Sequence, residues 1–326
     1  MLQNIKNLIT GNNNTTRSVQ NNQYSENENS LNRVQSDNII ELCKNESVVC
    51  KVHDDFLIKE SGRYTFTSGD KVLESLYISG DEKKLYVFFT SIDSYGQEDS
   101  SRFDRCLWSP YFKGNKIFFD DMSRLELNYA SSFFYRVLDE TEIIIRKLAI
   151  SKDIKASDIT FIASRSGAFA AGYLANRIEG SNALALSPVI SILNSFPKKV
   201  RCTEYVETMR IPSNENNRRN PKLGLFNISK NKKSNYFIYF NLMNENDLKQ
   251  ATIIFNYLKL ELVPGMTKYR KNIIFWVEND PFSGTSRKLP GLAFSKYIDR
   301  TFFEKHEVPD DGMISSILYD NLVPVY

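Results

Sequence analysis

The chain has 326 residues, 41% of them apolar and 25% charged, a globular composition with ample material for one large core. Its 42 Lys and Arg nearly balance 39 Asp and Glu, for a net charge of +3, so whole-protein electrostatics exclude a nucleic-acid or membrane-surface binder and leave room only for a local basic patch. Cys43, Cys50, Cys106 and Cys202 include no Cys-x-x-Cys pair, and with two histidines they exclude a zinc cage and a redox motif; they read as reduced thiols.

The opening MLQNIKNLITGNNNTT has no long apolar run after its first lysine, so no signal peptide is expected. No eighteen apolar residues occur in succession, so no spanning helix is expected either, and the predicted location is the cytoplasm. Residues 1–38 are rich in Asn, Ser and Gln with few apolar side chains. Such a segment cannot bury enough surface to offset its ordering entropy, and it reads as a disordered tail. The rest, 39–326, reads as one α/β domain.

Its first part is β-rich: VVCKVHDDFLIKE (48–60), RYTFTS (63–68) and ESLYISG (74–80), broken at Ser61-Gly62 and Ser68-Gly69-Asp70. That pattern predicts an antiparallel meander. LYVFFTSI (85–92) and NKIFFDDM (115–122) are continuous apolar strands, as expected when helices cover both faces. A helix is predicted from Asp139, with Asp139 and Glu142 spaced as a capping box. Strand DITFIAS (158–164), an Ala-rich helix from Gly167 to Ile178, and strand ALALSP (183–188) follow. Residues 189–234 read as irregular and basic. Strand NYFIYFNLM (235–243), helix 247–260, strand NIIFWVE (272–278) and helix 290–304 complete the alternation, which predicts a parallel sheet with helices on both faces.

The most informative stretch is ITFIASRSGAFAAGYLA (159–175), an apolar strand that enters a helix through a turn of small residues. In α/β-hydrolases this turn carries G-x-S-x-G and lifts a strained serine above the sheet. The chain resembles that superfamily here. It is more closely similar to α/β-hydrolase-fold proteins of bacterial surface-polysaccharide loci, the capsule O-acetyltransferases and accessory-secretion glycan-modifying proteins. RFDRCLWSPYFKGNKIFFDD (102–121), ALALSP and NLMNENDLKQA also carry the likeness. The resemblance implies an α/β-hydrolase-like fold and a role with glycans.

The departures bear on chemistry. Without a gap, the first Gly of the motif falls on Ala163, the nucleophile on Arg165 and the last Gly on Gly167, with Ser164 and Ser166 on either side. A guanidinium stays protonated and only donates, so Arg165 cannot be an acyl nucleophile. A register one residue along makes Ser166 the reactive group. The acid that follows the penultimate strand in this fold falls on Asp247, beside Glu245; Asp247 also reads as a helix N-cap, with Gln250 completing a capping box. Where the histidine belongs, the sequence reads ENDPFSGTSRK (278–288) and has none; His306 lies near the end of the last predicted helix and His53 in the meander. Loss of one essential triad member costs about a millionfold in turnover, roughly 8 kcal/mol of barrier.

The 189–234 insertion stands where a lid is usual and carries Lys198, Lys199, Arg201, Arg218, Arg219, Lys222, Lys230, Lys232 and Lys233. Above Arg165 these form either an anion-binding surface or a solvated loop. Asp120 and Asp121 read as loop-positioning carboxylates rather than a metal pair, and Trp108 as packing or a sugar platform. Two functions remain open. One is a degenerate hydrolase-fold protein of surface-polysaccharide biosynthesis that binds an acidic glycan or a glycan-making enzyme through Arg165, Ser164, Arg218 and Arg219, without a cofactor. The other is an esterase or O-acyltransferase using Ser166, Asp247 and His306, with acetyl-CoA as acyl donor.

Overall fold

The apolar runs become strands because both of their faces are covered. In the computed structural model, which describes residues 38–91, 103, 105–106, 109, 112–122, 133–195, 199–213 and 220–279, ten strands form one sheet in the order β1-β2-β3-β5-β4-β6-β7-β8-β10-β9. They are β1 Val48–Lys51, β2 Gly62–Ser68, β3 Lys71–Ile78, β4 Glu82–Phe89, β5 Gly114–Asp121, β6 Ile159–Ser164, β7 Asn182–Leu186, β8 Asn235–Asn241, β9 Gly265–Tyr269 and β10 Ile273–Glu278. From β5 through β4, β6, β7 and β8 to β10 every neighbour is parallel. The pairs β2–β3, β3–β5 and β9–β10 are antiparallel.

Period-two alternation divides the core. Leu85, Val87, Phe89, Phe161, Ala163, Ile238 and Phe240 share one cluster with α2 (Leu138–Ser151), α3 (Arg165–Arg177) and α6 (Glu245–Leu258). Tyr86, Phe88, Ile162, Leu184 and Tyr239 point the other way, into a cluster with Ile39 and Cys43 of α1 (38–44) and with Phe103, Cys106 and Phe112. The mixed α/β architecture is therefore as expected. Among the described helices, α2, α3 and α6 back one face and α1 the other.

Several local expectations are corrected. The stretch 48–60 is not one strand: it ends at Lys51, where Asp54 N bonds back to Lys51 O at 3.2 Å, and β1 then runs parallel to β2. Within the expected meander only β2–β3 is a hairpin, closed by Gly69 at φ +61°. Helix α2 is entered from Val137 without a side-chain cap. Glu142 instead pairs with Arg146 and Arg177, each at 2.9 Å.

The 189–234 segment is not irregular either. It contains α4 (Ile192–Ser195), α5 (Lys199–Thr208) and two 3-10 turns, Pro221–Leu223 and Leu225–Ser229. Ile190, Ile192, Tyr205, Met209, Leu223, Leu225 and Ile228 anchor it in the larger core cluster. Its lysines are partly spent in ion pairs, Lys222 with Asp139 at 2.5 Å and Lys233 with Glu179. Of the expected tail 1–38, residues 1–37 lie outside the described residues, as do the helix 290–304 and Trp108; Asn38 is described, as the first residue of α1. Among the described residues no helix is long and apolar enough to cross a membrane, no group of side chains could hold a metal, and the four cysteines form no disulfide.

One buried cation gives a pH test. Lys116 of β5 is 5% exposed and donates to Phe112 O at 2.8 Å. Burial pushes its ammonium down to about 8, with Asp81 opposing. In the unfolded chain a lysine titrates near 10.4, so between the two values the unfolded state holds more protons, and stability rises with pH there. Lys116→Met is expected to be more stable than wild type at pH 7 by roughly 1–2 kcal/mol in urea unfolding, a gain that shrinks toward about pH 10. A difference that does not change with pH contradicts this.

Candidate functional site at the β6–α3 turn

Strand β6 runs into α3 with no intervening loop. Ser164 is extended, at φ −117° and ψ 158°, and Arg165 turns the chain at φ 49°. A left-handed conformation costs a non-glycine residue about 1–2 kcal/mol, so packing must hold it. The packing is visible: Ala168, Ala170, Ala171 and Ala175 are fully buried, and α3 approaches β4 so closely that a Cβ on Gly167 would lie 2.8 Å from Phe89 O and 3.0 Å from Thr90 O. Arginine thus occupies the strained position of the turn. Ser166, one residue on, is 2% exposed, and its Oγ has no hydrogen-bond partner among the described residues. Ser164 is buried and accepts a bond from Arg105 Nη2 at 2.9 Å.

The next strand ends in a second turn of the same hand. Ser187, just after β7, has φ 50°, and its amide donates to Tyr239 O at 2.8 Å. Its Oγ donates to Asp247 Oδ2 at 2.5 Å, which also accepts from Asn241 N at 3.0 Å. Val189 N reaches Arg165 O at 3.3 Å and ties the two turns together. Asp247 is 7% exposed. Burial raises its carboxyl above the usual range; the bonds from Asn241 and Ser187 and the positive charge of Arg165 act against that rise.

Asp247 is free for this because it is not the N-cap of α6. Asn244 is: its Oδ1 accepts from Asn246 N at 3.0 Å and from Asp247 N at 3.2 Å. Gln250 makes no capping box, and accepts instead from Ile190 N at 2.9 Å and Ser191 N at 3.1 Å. Of the residues singled out in the sequence, Ser164, Arg165, Ser166 and Asp247 come together at the C-terminal edge of the sheet. His53 is 3.3 Å from Ser68 at β2, four strand spacings from β6, about 19 Å. Asp120 and Asp121 are buried at the end of β5. His306, Arg218 and Arg219 lie outside the described residues. Sequence reasoning missed Arg105, Asn241 and Ser187; a serine directly after the ALAL strand, level with the β6 turn, was the available signal.

No protein-family model matches the chain, and no curated protein matches it. Solved structures do. The capsule O-acetyltransferase of Neisseria meningitidis serogroup A is 13% identical, with 77% of this chain and 97% of that one covered at a TM-score of 0.50. A point mutant of the same protein in complex with CoA gives 13%, 74%, 95% and 0.50. The acylaminoacyl peptidase of Pyrococcus horikoshii is 17% identical, with 80% of this chain but 44% of that one covered, at 0.50. At such identities the likeness is one of fold, and the fold is hydrolase-like.

The turn makes a direct demand on sequence. Gly167→Val puts a branched side chain against two backbone carbonyls that cannot move away without shifting β4. It is expected to cost on the order of 1–3 kcal/mol in denaturant unfolding. Wild-type stability for this variant would mean that α3 does not approach β4 so closely.

Proposed function

We propose that this chain is a hydrolase-fold protein whose elbow has been converted from a nucleophile into an anion-binding group, and that it acts in bacterial surface-polysaccharide biosynthesis by binding an acidic glycan or a glycan-making partner. The observation that carries the reading is Arg165 at φ 49° at the head of α3. A guanidinium there is a bidentate donor for carboxylate or phosphate, and the positive end of the helix adds to it. Asp247 supplies an acceptor nearby, suited to a sugar hydroxyl. Ser164 and, from the insertion, Arg218 and Arg219 are the further contacts in this reading. The glycan setting draws on the capsule O-acetyltransferase fold likeness.

One observation favours a second reading. The buried Ser166 Oγ lacks a hydrogen-bond partner among the described residues, and such groups call for an explanation that catalysis can supply. An esterase or O-acyltransferase using Ser166, Asp247 and His306 would then draw on acetyl-CoA, in line with the CoA-bound fold neighbour.

A fluorophosphonate probe separates the two. The first reading expects no labelling of wild type; labelling that disappears in Ser166→Ala establishes the second. Arg165→Ala is expected to weaken acidic-ligand binding by about 1.5–3 kcal/mol, the scale of a charged hydrogen bond. Binding should also depend on pH in a definite direction. Because the Asp247 carboxyl is raised, it takes up its proton at a higher pH than an ordinary aspartate, and the negative charge beside Arg165 is lost first. Affinity for an anion that stays ionised should rise as pH falls through the weakly acid range, and Asp247→Asn should abolish that rise in titration calorimetry.

A further inference from the structure

Away from the turn, the insertion and α6 enclose an open cavity of about 960 Å³. Phe226 and Tyr257 form one corner of it, their rings 4.9 Å apart and tilted by 56°. The corner is held in place. Gly224 carries the Phe226 ring against its backbone, where a Cβ would come within 2.8 Å of two ring carbons. Gly224 is itself fixed by its bridge to Ser191, and Leu225 N donates to Ile190 O at 2.8 Å. Tyr257 is 47% exposed, an aromatic face left open to the cavity.

Polar groups surround this corner. Asn194 commits its Nδ2 to Ser191 Oγ at 3.0 Å, which leaves its Oδ1 as an acceptor. The side chain of Asn227 makes no hydrogen bond among the described residues. Lys230 and Lys249 are exposed and form no ion pair among the described residues, unlike Lys222 and Lys233 of the same insertion. We infer that this cavity is a carbohydrate-binding groove for an acidic oligosaccharide. The open ring of Tyr257 offers apolar area to the C–H face of a pyranose, and its hydroxyl a polar handle. Carboxamides pair with sugar hydroxyls, and two unpaired ammonium groups take the carboxylate or phosphate of the sugar. The groove extends the acidic-glycan reading of the β6–α3 turn to a second surface and stands on different residues.

The test is titration of the full chain with a panel of uronate-, sialate- and phosphodiester-linked oligosaccharides, their neutral counterparts, and CoA. Wild type should bind one or more of the acidic oligosaccharides and not the neutral ones. Tyr257→Ala and Lys249→Glu, both at exposed positions and each confirmed folded by its thermal transition, should each weaken that binding at least about tenfold. Arg165→Ala is run beside them. Loss of binding in the groove variants alone keeps the groove and removes the acidic-glycan reading of the turn. Loss in Arg165→Ala alone removes the groove and keeps that reading. Failure of every acidic oligosaccharide to bind, or binding of CoA alone with loss in Tyr257→Ala, overturns the carbohydrate assignment.

Discussion

The contact on which the site depends is the one between α3 and β4 at Gly167. The helix can begin at the last residue of β6 only because nothing but a hydrogen stands between its first turn and the carbonyls of Phe89 and Thr90. That approach leaves no room for a loop, so the chain must reverse in a single residue, and Arg165 takes the left-handed conformation that the reversal requires. Any residue but glycine would be strained there. The fold therefore creates a projecting side chain at the C-terminal edge of the sheet, where α/β proteins bind ligands, and the sequence decides what that side chain can do.

On the proposed reading, arginine at this position changes what the neighbouring groups are for. A carboxylate after β8 would orient a histidine in a working triad; here Asp247 lies within electrostatic reach of a permanent cation and is hydrogen-bonded by Ser187 and by the Asn241 amide. Two left-handed residues on adjacent strands, Arg165 and Ser187, store of order 1–2 kcal/mol each and are locked by the Val189 to Arg165 and Ser187 to Tyr239 backbone bonds. Strain of this kind persists only where surrounding structure over-determines it, and here it brings a donor and an acceptor to one edge.

Much of this was legible in sequence for physical reasons. The continuous apolar runs at 85–89, 117–119, 159–163 and 236–240 could only be doubly covered strands, and the small residues of 163–175 could only serve close helix–sheet packing. The failures share a cause, which is that local signals were read without their long-range partners. Asp247 looked like a cap because Asn244, the true cap, stands three residues earlier, and Gln250 looked like its partner although it bonds to Ile190 and Ser191, some sixty residues away. The basic insertion looked loose because its charges outnumber the few apolar anchors, Tyr205, Met209, Leu225 and Ile228, that pin it to the core. Strand β9, with Gly, Thr and Lys among its five residues, has no apolar alternation and owes its existence to the edge of β10.

If arginine is kept at the turn for its side chain, it is kept at a cost in stability, since glycine adopts φ near 50° without strain. Urea unfolding of Arg165→Gly is the most direct measurement of that trade. The account predicts a variant more stable than wild type by about 0.5–1 kcal/mol, the relief of a left-handed residue less the entropy of an added glycine. A variant equal to or less stable than wild type would contradict it, and would mean that the guanidinium serves the fold rather than a ligand.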